Sequence, residues 1–150
     1  MKRLSPLIAA WLVAAPAHAD WLYFEEENAH APGLICSLAY EEENHGFLIW
    51  ADDKAVAVIL TDTSWSLAPD FKGWAGAQYD GQNYGFEMQQ MNEITMFSFP
   101  EEEKWTTIVA KLAENTAGTL VTPMAKVWTL PTGASDVTMQ WIACIAKNGS

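Results

Sequence analysis

Cysteine, histidine and positive charge are scarce in this chain, and each scarcity narrows what it can do. Its 150 residues include two cysteines and three histidines. Eight Lys and Arg face nineteen Asp and Glu, a formal net charge of −11. Nucleic acids and anionic membrane surfaces need positive charge to neutralise them, so this balance argues against both as partners. The chain has no G-x-S-x-G, H-E-x-x-H, C-x-x-C or Walker loop, which leaves the common hydrolase, zinc-protease, redox and nucleotide sites without their carriers. No cofactor motif is present, and no cofactor is expected. Carboxylates are abundant enough for two-carboxylate hydrolysis to depend on geometry alone. With so few of the usual groups, a non-enzymatic protein is the expectation. No apolar run approaches the roughly 20 residues of a membrane-spanning helix, and no Pro-, Gly- or Ser-rich linker divides the chain.

What is present begins with a leader. Lys2 and Arg3 precede an uncharged apolar run from Leu4 to Ala15, and Ala17-His18-Ala19 supplies small residues around a cleavage point. This is the pattern of a Sec-type bacterial signal peptide cut after Ala19. It predicts a periplasmic or secreted product with Asp20 as its mature N-terminus. No cysteine follows the apolar run to take a lipid, so the product is not membrane-anchored. Residues 1–19 are thus read as signal peptide and 20–150 as a single domain, in which six basic residues remain against nineteen acids, a charge of −13. Asn148-Gly149-Ser150 matches a glycosylation acceptor, discounted at the extreme end of a bacterial-looking chain.

In an oxidising compartment two cysteines favour a bridge, and Cys36 and Cys144 have only each other. Apolar runs at Trp21–Phe24, Leu34–Tyr40, Phe47–Ala51, Ala55–Thr61, Trp74–Tyr79, Tyr84–Met91, Ile94–Phe99, Leu120–Val121 and Lys126–Leu130 read as strands. Phe47–Ala51 and Ala55–Thr61 are apolar on both faces, which predicts a position covered on each side. Asp80-Gly81 supplies a tight hairpin. Trp105, Ile108, Val109 and Leu112 make one stripe of a helix behind three glutamates. Val137, Trp141, Ile142 and Ile145 mark a closing helix, with Ser135 as its N-cap and Gly149 as its stop. The expected fold is mainly β: an antiparallel β-sandwich-like, or α+β, domain with two short helices and one disulfide.

Two features could carry binding. Phe24-Glu25-Glu26-Glu27-Asn28 and Tyr40-Glu41-Glu42-Glu43-Asn44 are near-duplicates, each followed by a histidine. If the strands before them brought both loops together, Glu27, His30, Glu43 and His45 would suit a divalent metal. The plainer reading is two solvated strand exits, and no metal is expected. Second, Trp65, Phe71, Trp74, Tyr79, Tyr84 and Phe86 crowd a stretch rich in Asp62, Asp70, Asp80, Gln82 and Asn83. Exposed, these rings would form a ligand face for a glycan or anchor a protein interface; buried, they are core. Trp105, Trp128 and Trp141 sit at periodic apolar positions and are assigned to the core.

The order Ile35-Cys36-Ser37-Leu38, Trp65-Ser66-Leu67, then Leu130-Pro131-Thr132-Gly133-Ala134-Ser135 and Ile142-Ala143-Cys144 resembles the small bacterial exported proteins related to the invasion-associated locus B family. That resemblance implies a β-rich periplasmic or secreted domain without known catalysis, linked in some members to host-cell interaction. Only Cys36 and Cys144 carry over as matching positions. The expectation is therefore an exported protein that acts through protein–protein contact. Its acidity suits a basic partner, one version being an inhibitor of a basic cell-wall hydrolase such as lysozyme. The alternative is a glycan-binding module.

Overall fold

Period-two alternation carries most of the chain into strands, and the computed structural model, which describes residues 20–148, contains nine. They are β1 (Asp20–Glu27), β2 (Leu34–Glu41), β3 (His45–Ala51), β4 (Val56–Asp62), β5 (Lys72–Tyr79), β6 (Gln82–Asn92), β7 (Thr95–Ser98), β8 (Gly118–Val121) and β9 (Val127–Leu130). All pair antiparallel in one sheet of order β1-β2-β3-β4-β7-β6-β5-β8-β9. Helix α1 (Glu102–Ala113) follows β7, and α2 (Ser135–Asn148) follows β9. The signal peptide predicted over residues 1–19 and the stop predicted at Gly149 lie outside the described residues.

Local chemistry sets the turns. Asp80 and Gly81 have φ of 51° and 77°, the two left-handed centres that a two-residue hairpin requires. The Lys111 ammonium, 2.7 Å from Asp80 Oδ2, ties that hairpin tip to α1. Between β3 and β4, Asp52 Oδ1 accepts from the amides of Lys54 and Ala55, both at 2.8 Å. Ser135 is not the N-cap expected of it. It begins α2 and donates its hydroxyl to the Ala113 carbonyl at 3.0 Å, joining the two helices.

One side of every strand feeds a common core. Trp21, Leu38, Tyr40, Phe47, Ile49, Val58, Leu60, Tyr79, Phe86, Met88, Met96, Leu120, Trp128 and Leu130 meet Ile108, Val109 and Leu112 of α1 and Trp141 of α2. Trp141 is fully buried and donates its indole N–H to the Cys36 carbonyl at 3.1 Å. Beside it Cys36 and Cys144 are bridged, Cα atoms 6.0 Å apart and 108 residues distant in sequence. Closing so long a loop is worth on the order of 4–5 kcal/mol in the chain-entropy picture.

The sheet curls around this core until its edges approach. Trp21 of β1 donates its indole N–H to the carbonyl of Pro131, just beyond β9, at 3.2 Å. His45 of β3 stacks on Trp128 of β9, ring centroids 4.4 Å apart. The helices fill the inner side, so a second sheet is not needed to cover it. The outer side differs from expectation. β3 and β4 are apolar on both faces, yet among the described residues no helix or second sheet lies over their outer one, because both helices belong to the inner core.

Candidate functional site

Strand register resolves the outer face into cross-strand rows. Phe24, Ser37, Trp50 and Ala57 form the first. Leu22, Ala39, Leu48, Ile59, Phe97, Gln89 and Lys72 form the second, running from β1 to β5. Asp20, Glu41, Gly46, Thr61 and Thr95 form the third. The first two rows are largely apolar. Ala39, Leu48 and Ile59 are buried at their centre, ringed by partly buried Leu22, Phe24, Trp50, Met91 and Phe97. Phe99, edge-on to Phe97 at 5.8 Å, extends the patch and is 52 % exposed. Ser37 Oγ and Trp50 Nε1, cross-strand neighbours, are buried with no hydrogen-bond partner among the described residues.

Trp74 stands at the far end of this face on β5 and is 64 % exposed. A side chain on Gly85 would come within 3.9 Å of its ring, so the indole lies beside a bare stretch of β6. Two shallow hollows flank it. One is lined by Trp74, Asn83, Tyr84, Gly85, Glu103, Lys104 and Thr107. The other is lined by Trp74, Phe86, Glu87, Gln89, Phe99, Glu101 and Lys104, with Ser98 and Pro100. Lys104 stands between them because β7 is too short to pair the first half of β6. Its ammonium caps the free Gly85 carbonyl at 2.6 Å and lies 3.9 Å from the Glu101 carboxylate.

The aromatic stretch read from the sequence therefore divides. Trp74 is exposed, while Phe71 and Tyr84 are half-buried against the core. Trp65 and Tyr79, offered as ligand-face residues, are corrected to core at 8 % and 1 % exposure. Tyr79 lies on the inward parity of β5, and burial holds its phenol well above the ordinary range. Trp65 folds inward from the β4–β5 connection and stacks on Trp128 at 5.8 Å. Phe86 is likewise core.

The weak metal candidates Glu27, His30, Glu43 and His45 are not brought together. Antiparallel pairing sets Glu27 opposite Leu34 and Asp20 opposite Glu41, so the first acidic run ends at one end of the β1–β2 hairpin and the second at the other. The separation is about 20 Å, from seven residue steps of extended chain. Among the described residues no group of three or more His, Cys, Asp or Glu is placed to hold a metal ion. His30 is exposed, with its amide bound to Asn28 Oδ1 at 3.0 Å. His45 turns inward onto Trp128, and burial lowers its pKa despite Glu42 at 3.5 Å and nearby Asp62.

Sequence reasoning missed the outer patch of Leu22, Phe24, Trp50, Phe97 and Phe99, although apolar residues on both faces of Phe47–Trp50 were its signal. It also missed Glu41, whose burial at the rim of the apolar rows, with Asp20 opposite, pushes its pKa up to about 7. Among the described residues no helix is long and apolar enough to cross a membrane. No protein-family model, curated protein or solved structure matches the chain.

Proposed function

We propose that this is an exported, non-catalytic binding protein that engages a protein partner across the outer face of its sheet. The observation that supports this reading is the apolar patch of Leu22, Phe24, Trp50, Phe97 and Phe99, over which neither helix packs. Large aromatics are the side chains that dominate binding energy when a partner covers them, and contiguous apolar surface marks contact sites. The formal charge of −13 after removal of the leader favours a basic partner, with attraction that weakens as salt is raised. A basic cell-wall hydrolase such as lysozyme is the specific version.

Titration of lysozyme at low salt tests that version: inhibition that fades with salt and is lost in Trp50→Ala or Phe99→Ala supports it. Absence of binding at low salt rejects lysozyme, and binding untouched by either substitution rejects the face.

Trp74 supports a second reading. One exposed indole beside Asn83, Glu87, Gln89 and Lys104 offers the ring-and-polar-rim arrangement on which a pyranose stacks. A glycan array read with the chain and with Trp74→Ala separates the two: signal lost with the ring favours glycan binding, and no signal removes it.

A further inference from the structure

The third row of the outer face holds a carboxylate in an unusual setting. Glu41 is 1 % exposed, and neither of its oxygens has a hydrogen-bond partner among the described residues. Directly opposite on β1 is Asp20, another acid; on the other side is Gly46 of β3, which offers no side chain. Beyond Gly46 is Thr61 of β4, whose hydroxyl is paired with that of Thr95 at 3.3 Å. The adjoining row supplies only Leu22, Ala39 and Leu48. His45, four residues on, faces inward onto Trp128. Like charges directly opposite in a sheet repel, and a buried carboxylate without a donor carries its full desolvation cost.

We infer that the cation completing this site is the α-ammonium released on Asp20 when the leader is removed. This rests on the export reading, in which the Ala19–Asp20 bond is cut. Hydrolysis of that amide by one water leaves a carboxylate on Ala19 and a protonated amine on Asp20. The new charge sits on the Cα directly across from Glu41. Cα atoms so paired lie about 4.5–5.5 Å apart, within a glutamate side chain's reach. The Asp20 carboxylate is held by the Trp21 amide at 2.8 Å, which turns it toward its own backbone and leaves Glu41 as the cross-strand acceptor. Processing thereby converts an acid–acid contact into an ion pair at the start of β1. That strand also carries Trp21, whose bond to Pro131 brings the two sheet edges together.

Four proteins test the pairing: a chain made to begin at Asp20, the same chain with Gly-Ser ahead of Asp20, and Glu41→Gln in each. With Glu41 present, the extension lowers Tm by about 3–6 °C for a domain of this size; in the Glu41→Gln pair it changes Tm by about 1 °C or less. An equal loss in both pairs overturns the inference. If Glu41→Gln prevents folding, acylation of the Asp20 amine near neutral pH gives a second reading. A paired ammonium reacts severalfold more slowly than the amine of an Asp-Trp-Leu peptide, and equal rates overturn the pairing. The mass of the exported chain reports the premise separately: a product beginning elsewhere than Asp20 removes cleavage after Ala19, while the stability cycle judges the ion pair on its own.

Discussion

The two faces of the sheet are built from the same strands and have opposite fates. On the inner face Trp141 gives its N–H to Cys36, Trp105 meets Trp141 edge-on at 6.0 Å, and the bridge fixes α2 to β2. On the outer face Trp50 and Phe97 join a cluster to which neither helix contributes, and Phe99 and Trp74 are exposed. Aromatic content alone does not separate core from contact surface. What separates them is whether an element lies over the ring, and among the described residues both helices pack on the inner side.

The contrast can be broken experimentally from its strongest end. Trp141→Ala removes a fully buried ring and its hydrogen bond, and should cost about 3–5 kcal/mol in denaturant unfolding. A loss under about 1 kcal/mol would mean that α2 is not part of the core. Replacing both Cys36 and Cys144 by Ser should cost about 2–5 kcal/mol, read as the stability difference between oxidised wild type and the variant.

A pH series distinguishes the faces by sign. His45 is buried and its folded pKa lies below the unfolded one. The unfolded chain therefore takes up its proton first, and stability falls as pH drops through about 6.5; His45→Gln should flatten that limb. Glu41 in a chain still extended beyond Asp20 behaves oppositely. Its folded pKa, about 7, lies above the unfolded value, so stability is fullest in acid and declines as pH rises toward 7; Glu41→Gln should remove this decline.

The smallest stability effects belong to the outer rings. Trp74→Ser and Phe99→Ser should each change unfolding free energy by about 0.5 kcal/mol or less. At a partner interface the same truncations should weaken binding about tenfold or more.

Much of the fold was legible in the chain. The Asp80-Gly81 turn, the Trp105–Leu112 stripe and the Cys36–Cys144 pair each follow from a local rule, and each stands where that rule puts it. The sandwich-like or α+β expectation resolves to one curled sheet with two helices. What local rules could not supply was facing. Trp65, Tyr79 and Trp74 look alike in sequence, but inward or outward parity is set by the curl of the sheet and the position of α1. The near-duplicate acidic segments show the same limit. Matching letters align Phe24 with Tyr40, whereas the structure repeats a different contact: Tyr23 donates to Glu25, and Tyr40 to Glu42, each at 2.7 Å. The two alignments differ by one residue, and one residue reverses the face. Phe24 therefore joins the outer patch while Tyr40 enters the core, and Glu41 is buried where its apparent counterpart Glu25 is exposed and, bonded to Tyr23, holds its pKa low.

The central claim is that the outer face meets a partner and the opposite side does not. Site-specific photocrosslinking in the producing cell compares the two most directly, with the probe placed at Phe99, just beyond β7, or at Met139, a comparably exposed position on α2. A discrete protein adduct from position 99 and none from position 139 is the predicted result. Adducts from position 139 alone, or none from either, would contradict it.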